Sequence, residues 1–236
     1  MEDRIAKQKL NIILLVDAST SMRGERIKQV DKAIEDIQQY LIDLQVENSA
    51  VDFYITIISF STEATFYNNK QCENISSFKY SGIRCGGWSN LHCGYELLAS
   101  VMHKESKGGI MSDFGGASPI VLLLTDGHPT GDDYKAKLEE LKKIPWFKNA
   151  LRYGIAIELN DKRTIEVLNN FVGNNGDIIT CYDSSQLKNI IKIIVVTASK
   201  VKSSNSQVAF QKSQTKNQMA QQLIAEALTD TEGFEW

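Results

Sequence analysis

Asp17, Ser19 and Ser21 lie two residues apart along one short stretch, Asp17-Ala-Ser-Thr-Ser21. A second oxygen donor, Ser89, follows the Gly86-Gly87 pair, and a third stretch carries Asp126 inside Thr125-Asp-Gly127. If the chain brings these three stretches together, two carboxylates and three hydroxyls converge, with no thiolate or imidazole among them. Such a donor set suits a hard divalent cation, Mg²⁺, Mn²⁺ or Ca²⁺, better than zinc. Ser19 and Ser21 can both turn their hydroxyls inward, and Ser89 can add a third. Asp17 and Asp126 balance the charge directly or through water, with Asp126 alternatively an acceptor that holds a metal-bound water. Neutral hydroxyls leave a cation electrophilic enough to accept one further oxygen from outside.

The elements around these residues make that convergence an expectation. Asn11–Val16 is apolar throughout, as a central parallel strand covered on both faces would be. Ile27, Val30, Ile34, Ile37, Leu41 and Leu44 then recur at helical spacing. Val51–Phe60 is rich in β-branched and aromatic residues and reads as a strand. Residues 61–84 read as one or two short edge strands with loops. A helix carries Leu91, Tyr95, Leu98 and Met102, and a strand covers Ile120–Leu124. Tyr134, Leu138 and Leu141 mark a helix that Pro145 is expected to stop. A strand over 151–157, a helix over 161–171 with Asp161 as its N-cap, a short strand over 177–181 and a helix over 184–199 complete the series. Strands alternating with helices predict an α/β fold with a doubly wound, mostly parallel sheet flanked by helices and one short antiparallel edge strand. In such a sheet the loops at the carboxyl ends of the strands gather in one crevice. Asp17 and Asp126 each follow a strand and are expected to meet there.

With that frame in place, the motifs resemble those of a known family. Asp17-Ala-Ser-Thr-Ser21 resembles the Asp-x-Ser-x-Ser signature of von Willebrand factor A domains. Gly86-Gly-Trp-Ser-Asn90 resembles their Gly-Gly-x-Thr-Asn loop, with Ser89 where threonine is usual. Leu124-Thr-Asp-Gly127 resembles the strand end that supplies the second aspartate. The resemblance covers roughly residues 9–199. It implies a metal-ion-dependent adhesion site formed by Asp17, Ser19, Ser21, Ser89 and Asp126, binding an acidic group of a protein partner. The Thr-Asp-Gly-x-Pro-Thr run is most similar to the bacterial TerY-like branch associated with tellurium resistance. That branch implies a role in stress response or phosphorylation signalling, with a Ser/Thr kinase or a metal-dependent phosphatase as partner. Serine at position 89 keeps the hydroxyl and loses the methyl that restricts threonine's rotamer.

Other signals bound the function. The 236 residues can bury a substantial core. Lys and Arg total 26 against 29 Asp and Glu, a net charge of -3 that argues against a dedicated nucleic-acid binder. Cys72, Cys85, Cys93 and Cys181 show no metal-ligand spacing and are expected to be small, packed, reduced thiols. With no apolar stretch of membrane-spanning length, a cytoplasmic location is expected. A phosphatase-like reading would use Asp17 as nucleophile. It needs a second acid two residues on, where Ser19 stands, and the serines lack a nearby base, so no enzymatic activity is expected. A third reading is a structural subunit with an incidental metal. Trp88 is either a partner anchor or packs on a neighbouring loop, and His128 is expected to hydrogen-bond within its loop. Thr130, Asp132 and Asp133 read as turn and helix-start residues. Residues 200–236 shift to a polar composition, basic first and acidic last, and are expected to form a flexible tail. Within it Met219, Leu223, Ala227 and Leu228 could form a short docking helix, and Thr229 and Thr231 lie among acids as kinase substrates do.

Overall fold

The computed structural model describes residues 7–47, 50–158, 161–173 and 176–199. The tail expected from Lys200 onward, with Thr229 and Thr231, lies outside the described residues.

Among the described residues seven strands form one sheet: β1 (Gln8–Asp17), β2 (Val51–Phe60), β3 (Ala64–Phe66), β4 (Glu73–Asn74), β5 (Ile120–Thr125), β6 (Leu151–Ile157) and β7 (Gly176–Cys181). Their order is β3-β2-β1-β5-β6-β7, with β4 also paired to β2. The pairs β1–β2, β1–β5, β5–β6 and β6–β7 are parallel. β3 and β4 run antiparallel to β2 and make that edge. Among the described residues six α-helices accompany the strands: α1 (Glu25–Glu47), α2 (Leu91–Val101), α3 (Asp133–Leu141), α4 (Pro145–Lys148), α5 (Lys162–Val172) and α6 (Ser184–Ser199).

Alternation along the central strands explains the two layers. Leu10, Ile12, Leu14 and Val16 of β1, with Ile120, Leu122 and Leu124 of β5, face α1 and α6. Ile13 and Leu15, with Val121 and Leu123, face α2, α3 and α5. Side chains on a strand point alternately to opposite faces, so an unbroken apolar run is what a strand buried on both sides requires. On α1 the buried stripe is Ile27, Val30, Ala33, Ile34, Ile37 and Leu41, close to the periodic set in the sequence. Gly94 lets α2 come close to the sheet, since a Cβ there would stand 3.0 Å from Leu15 Cδ1. Arg152 is buried and, among the described residues, has no carboxylate partner. Its guanidinium instead donates to Val172 O at 2.8 Å and Phe147 O at 2.8 Å, and burial draws its pKa down to about 10.

Two local expectations need correction. Pro145 does not stop the helix that holds Tyr134, Leu138 and Leu141. That helix ends at Leu141, and Pro145 opens α4, where its missing N–H costs nothing. All four thiols are free, but only Cys181 is buried. Cys72 and Cys93 are half-buried and use their thiols as weak donors, to Asn11 Oδ1 at 3.7 Å and to Thr62 O at 3.8 Å. Asp161 caps α5 as expected, accepting from Arg163 N at 2.9 Å and Thr164 N at 3.2 Å. No described helix is long and apolar enough to cross a membrane.

β1 lies between β2 and β5, so the loops leaving β1 and β5 part to opposite faces. The opening between them is the crevice that open α/β sheets use for ligands.

Candidate metal centre

Asp17 is the last residue of β1, and its side chain turns into the crevice fully buried. Its Oδ1 accepts from the Ser19 amide at 2.9 Å, which folds the chain back in a short Asx turn. Its Oδ2 accepts from Ser89 Oγ at 2.9 Å and Thr125 Oγ1 at 2.8 Å. Burial nonetheless raises the carboxyl pKa, and these donors only partly offset the lost hydration.

Asp126 follows β5 and is also buried. Ser21 Oγ donates to its Oδ1 at 2.8 Å, and Ser19 Oγ lies 3.1 Å from Ser21 Oγ. Thus Asp17, Ser19, Ser21, Ser89 and Asp126 are brought together at the crevice, linked by these hydrogen bonds. Among the described residues no group of three or more His, Cys, Asp or Glu is placed to hold a metal ion. Any cation here depends on hydroxyls as well as on the two aspartates. The ligand atoms present are all oxygen, as a hard divalent ion requires; Ser21 and Ser89 donate their hydroxyls to the site carboxylates, and Ser19 Oγ shares a hydrogen bond with Ser21 Oγ.

The loop that supplies Ser89 is bound along its length. Gly86 N donates to Ala18 O at 2.7 Å, and Thr20 N donates to Gly87 O at 3.1 Å. Trp88 N donates to Thr62 Oγ1 at 3.1 Å and Ser89 N to Thr130 Oγ1 at 3.2 Å. Thr130 N returns a bond to Ser89 O at 2.7 Å. Gly87 has φ +87°, and a Cβ there would collide with Thr62 Oγ1, so both conformation and space call for glycine. On this fixed loop Trp88 is 68% exposed. Of its two readings, packing on a neighbouring loop is therefore the weaker.

Several groups of the site had no clear signal in the sequence. Thr125 was readable only as the first residue of the loop that carries Asp126; it closes β5 instead, and its hydroxyl holds Asp17. Thr130 looked like a turn residue but bonds to the Ser89 loop. Arg26, in the first turn of α1, has Nη1 2.6 Å from Asp126 Oδ2 and Nε 3.2 Å from Glu158 Oε2. Gln29, one turn further on, donates to Glu158 Oε1 at 2.5 Å. Nothing in the spacing of Arg26 and Glu158, 132 residues apart, could have announced this pair. His128 stays out of the donor cluster. Its Nε2 lies 2.6 Å from Asp161 Oδ1, and that contact, after the Thr164 hydroxyl, holds the Asp161 carboxyl far below the usual range.

A sequence model of the von Willebrand factor type A domain matches residues 11–193. Inter-alpha-trypsin inhibitor heavy chain H4 of Bos taurus is 29% identical over 134 residues, covering 54% of this chain and 14% of that protein. Heavy chain H6 of Homo sapiens is 28% identical over 127 residues, covering 51% of this chain and 9% of that protein. The chain therefore corresponds to only a small part of the curated relatives it matches. Among solved structures, the vWF domain of the type V pili tip protein Mfa5 from Porphyromonas gingivalis has a TM-score of 0.54 at 11% identity, covering 86% of this chain and 99% of that one. Proximal thread matrix protein 1 from the mussel byssus, with a zinc-occupied MIDAS motif, has a TM-score of 0.53 at 16% identity, covering 80% of this chain and 48% of that one. At these identities the likeness is one of fold.

Proposed function

The chain belongs to the von Willebrand factor type A domain family, and from that premise we propose that it is a non-catalytic, metal-dependent protein-interaction module. Asp17, Ser19, Ser21, Ser89 and Asp126 would hold the ion, with Mg²⁺ favoured and Mn²⁺ or Ca²⁺ as chemically similar occupants. When bound, a hard divalent cation supplies an electrophilic position that a partner's carboxylate can fill. The observation that carries this reading is the hydrogen-bonded set itself: five side chains from three loops converge on one crevice.

The chain's own residues divide the remaining work. Thr125 orients Asp17 through Oδ2, and the Ser19 amide fixes Oδ1. Thr130 and Thr62 hold the 85–90 loop so that Ser89 faces Asp17. That same loop presents Trp88 to solvent. A large aromatic on a pre-ordered loop loses little entropy on binding and is the residue type enriched at interface hot spots. We assign the partner surface to the crevice rim around Trp88, and the partner's contribution to an acidic side chain.

The finer setting is part of the proposal. The Thr125-Asp-Gly-His-Pro-Thr130 run supports the TerY-like branch, and with it a bacterial stress-response or phosphorylation system with a Ser/Thr kinase or metal-dependent phosphatase as partner. Four free thiols support a cytoplasmic location. Against a phosphatase-like reading, Ser19 stands where a second acid would act, and its hydroxyl is engaged with Ser21.

The test is capture of partners from a lysate of the source cell by the immobilised full chain, with Mg²⁺ and with EDTA. A partner retained only with Mg²⁺, and lost on Trp88→Ala by about 2 kcal/mol or more of binding energy, is the expected result. Retention that ignores EDTA overturns the metal-dependent mechanism. Phosphate release from a phosphorylated peptide that disappears in Asp17→Ala would install the enzyme reading instead.

A further inference from the structure

The contact between Arg26 and Asp126 sets a cation of the chain against one of the carboxylates proposed to serve the metal. Asp126 has no exposed side-chain surface, and both its oxygens are engaged: Oδ1 by Ser21 and Oδ2 by the Arg26 guanidinium at 2.6 Å. The same guanidinium reaches Glu158 through Nε, and Glu158 is held by Gln29. Glu158 sits just past β6 with φ +56°, in the left-handed region that a non-glycine residue seldom adopts. Its amide is tied to Cys181 O at 2.9 Å, so the backbone holds that conformation and keeps the Glu158 carboxylate beside Arg26. A guanidinium on Asp126 and a divalent cation beside the same carboxylate repel one another.

Building on the proposed metal site, we infer that Arg26 is an internal rival for the ion: it neutralises Asp126 in the metal-free protein and, on metal binding, is retained by Glu158. The pairing of one arginine with two carboxylates, one inside the donor cluster and one outside it, is what carries the inference. Arg26 thereby sets the affinity of the site, and Glu158 sets how readily Arg26 yields. In this scheme Arg26 and Glu158 are positioning residues and contribute no ligand.

Mn²⁺ binding to the full chain, followed by calorimetry, and thermal melting in EDTA and in Mn²⁺ test this directly. Arg26→Gln is expected to bind Mn²⁺ about tenfold or more tightly than the natural chain, because the repelling charge is gone. Its metal-free melting temperature should fall, since a buried carboxylate loses its counter-ion, and its gain on adding Mn²⁺ should grow. Glu158→Gln should bind more weakly, and Arg26→Lys, which keeps the charge, should stay near the natural chain. The combination of Arg26→Gln with Glu158→Gln separates the device from long-range charge effects. If Glu158 acts through Arg26, its substitution changes nothing once Arg26 is gone; additive effects overturn the inference. Unchanged or weaker Mn²⁺ binding by Arg26→Gln, in a natural chain that does bind, overturns it while leaving the proposed function standing. Failure of the natural chain and of Arg26→Gln alike to bind Mn²⁺ overturns both. Should Arg26→Gln not fold, Glu158→Gln decides at high ionic strength, where long-range charge effects are screened: binding that is still weaker upholds the inference, and unchanged binding refutes it.

Discussion

The ends of β1 and β5 place the same side chain in the same crevice and treat its charge differently. Asp17 is surrounded by neutral donors, an amide and two hydroxyls, and burial raises its pKa. Asp126 keeps one oxygen for Ser21 and gives the other to a guanidinium. The first carboxylate is oriented but left short of positive charge; the second is already compensated. A divalent cation would relieve Asp17 and compete at Asp126. The two aspartates of the motif are thus not equivalent, although the sequence writes them alike.

The largest test of that asymmetry is Asp17→Ala. Metal affinity should fall by about a hundredfold or more, because the carboxylate most in need of a cation is gone. The metal-free domain should still fold, which near-ultraviolet circular dichroism and melting in EDTA will show, since the apolar core of β1 is untouched. Loss of the fold would mean that Asp17 is structural.

A second test uses pH. The folded-state pKa of Asp17 is raised above its unfolded value, so its ionisation opposes folding. Its favourable contribution to the metal-free protein is present below the unfolded carboxylate pKa and is lost as pH rises through the folded one. A metal bound at Asp17 would reverse this balance, because the ion needs the ionised form. The stabilisation by Mg²⁺ should therefore shrink as pH falls towards the raised pKa, and melting curves at several pH values, with Mg²⁺ and with EDTA, will reveal the gap. A constant gap would remove Asp17 from the site.

The smallest effect is expected from Thr125→Val. It deletes one hydroxyl donor to the buried Asp17 carboxylate and should cost the metal-free protein about 1.5 kcal/mol at neutral pH. Denaturant titration measures it, and saturating Mg²⁺ should reduce the loss. A loss that is the same with and without the ion would mean that Thr125 supports the strand rather than the carboxylate.

How much of this was legible depended on range. The strands at 11–16 and 120–124 announced themselves by unbroken apolarity, because burial on both faces leaves no room for a polar position. The five oxygen donors stood out because each follows or precedes a core element at short spacing. Pro145 was misread because proline both ends helices and begins them, and only the turn at residues 142–144 decides between the two. Burial of Cys72, Cys85 and Cys93 is expected because cysteine is usually packed, but Cys72 and Cys85 lie in loops and Cys93 in the first turn of α2, places that composition does not bury. Arg26, Glu158 and Thr130 were invisible as site residues. Each looks like an ordinary surface or turn residue, and its role comes from contacts across the crest of the sheet.

The pairing of β1 with β5 also has a consequence in time. Ser21 and Asp126 are 105 residues apart in the chain, and Thr125 and Asp17 are 108 apart. Between its two halves the chain runs through α1, β2, the antiparallel edge and α2, so the crevice depends on contacts of long sequence separation. Parallel pairings of such long separation form slowly and late. An ion that needs the ends of β1 and β5 in place together would not be expected to seed the chain's collapse. It can only fasten the finished molecule, slowing its unfolding while leaving the rate of its folding almost unchanged.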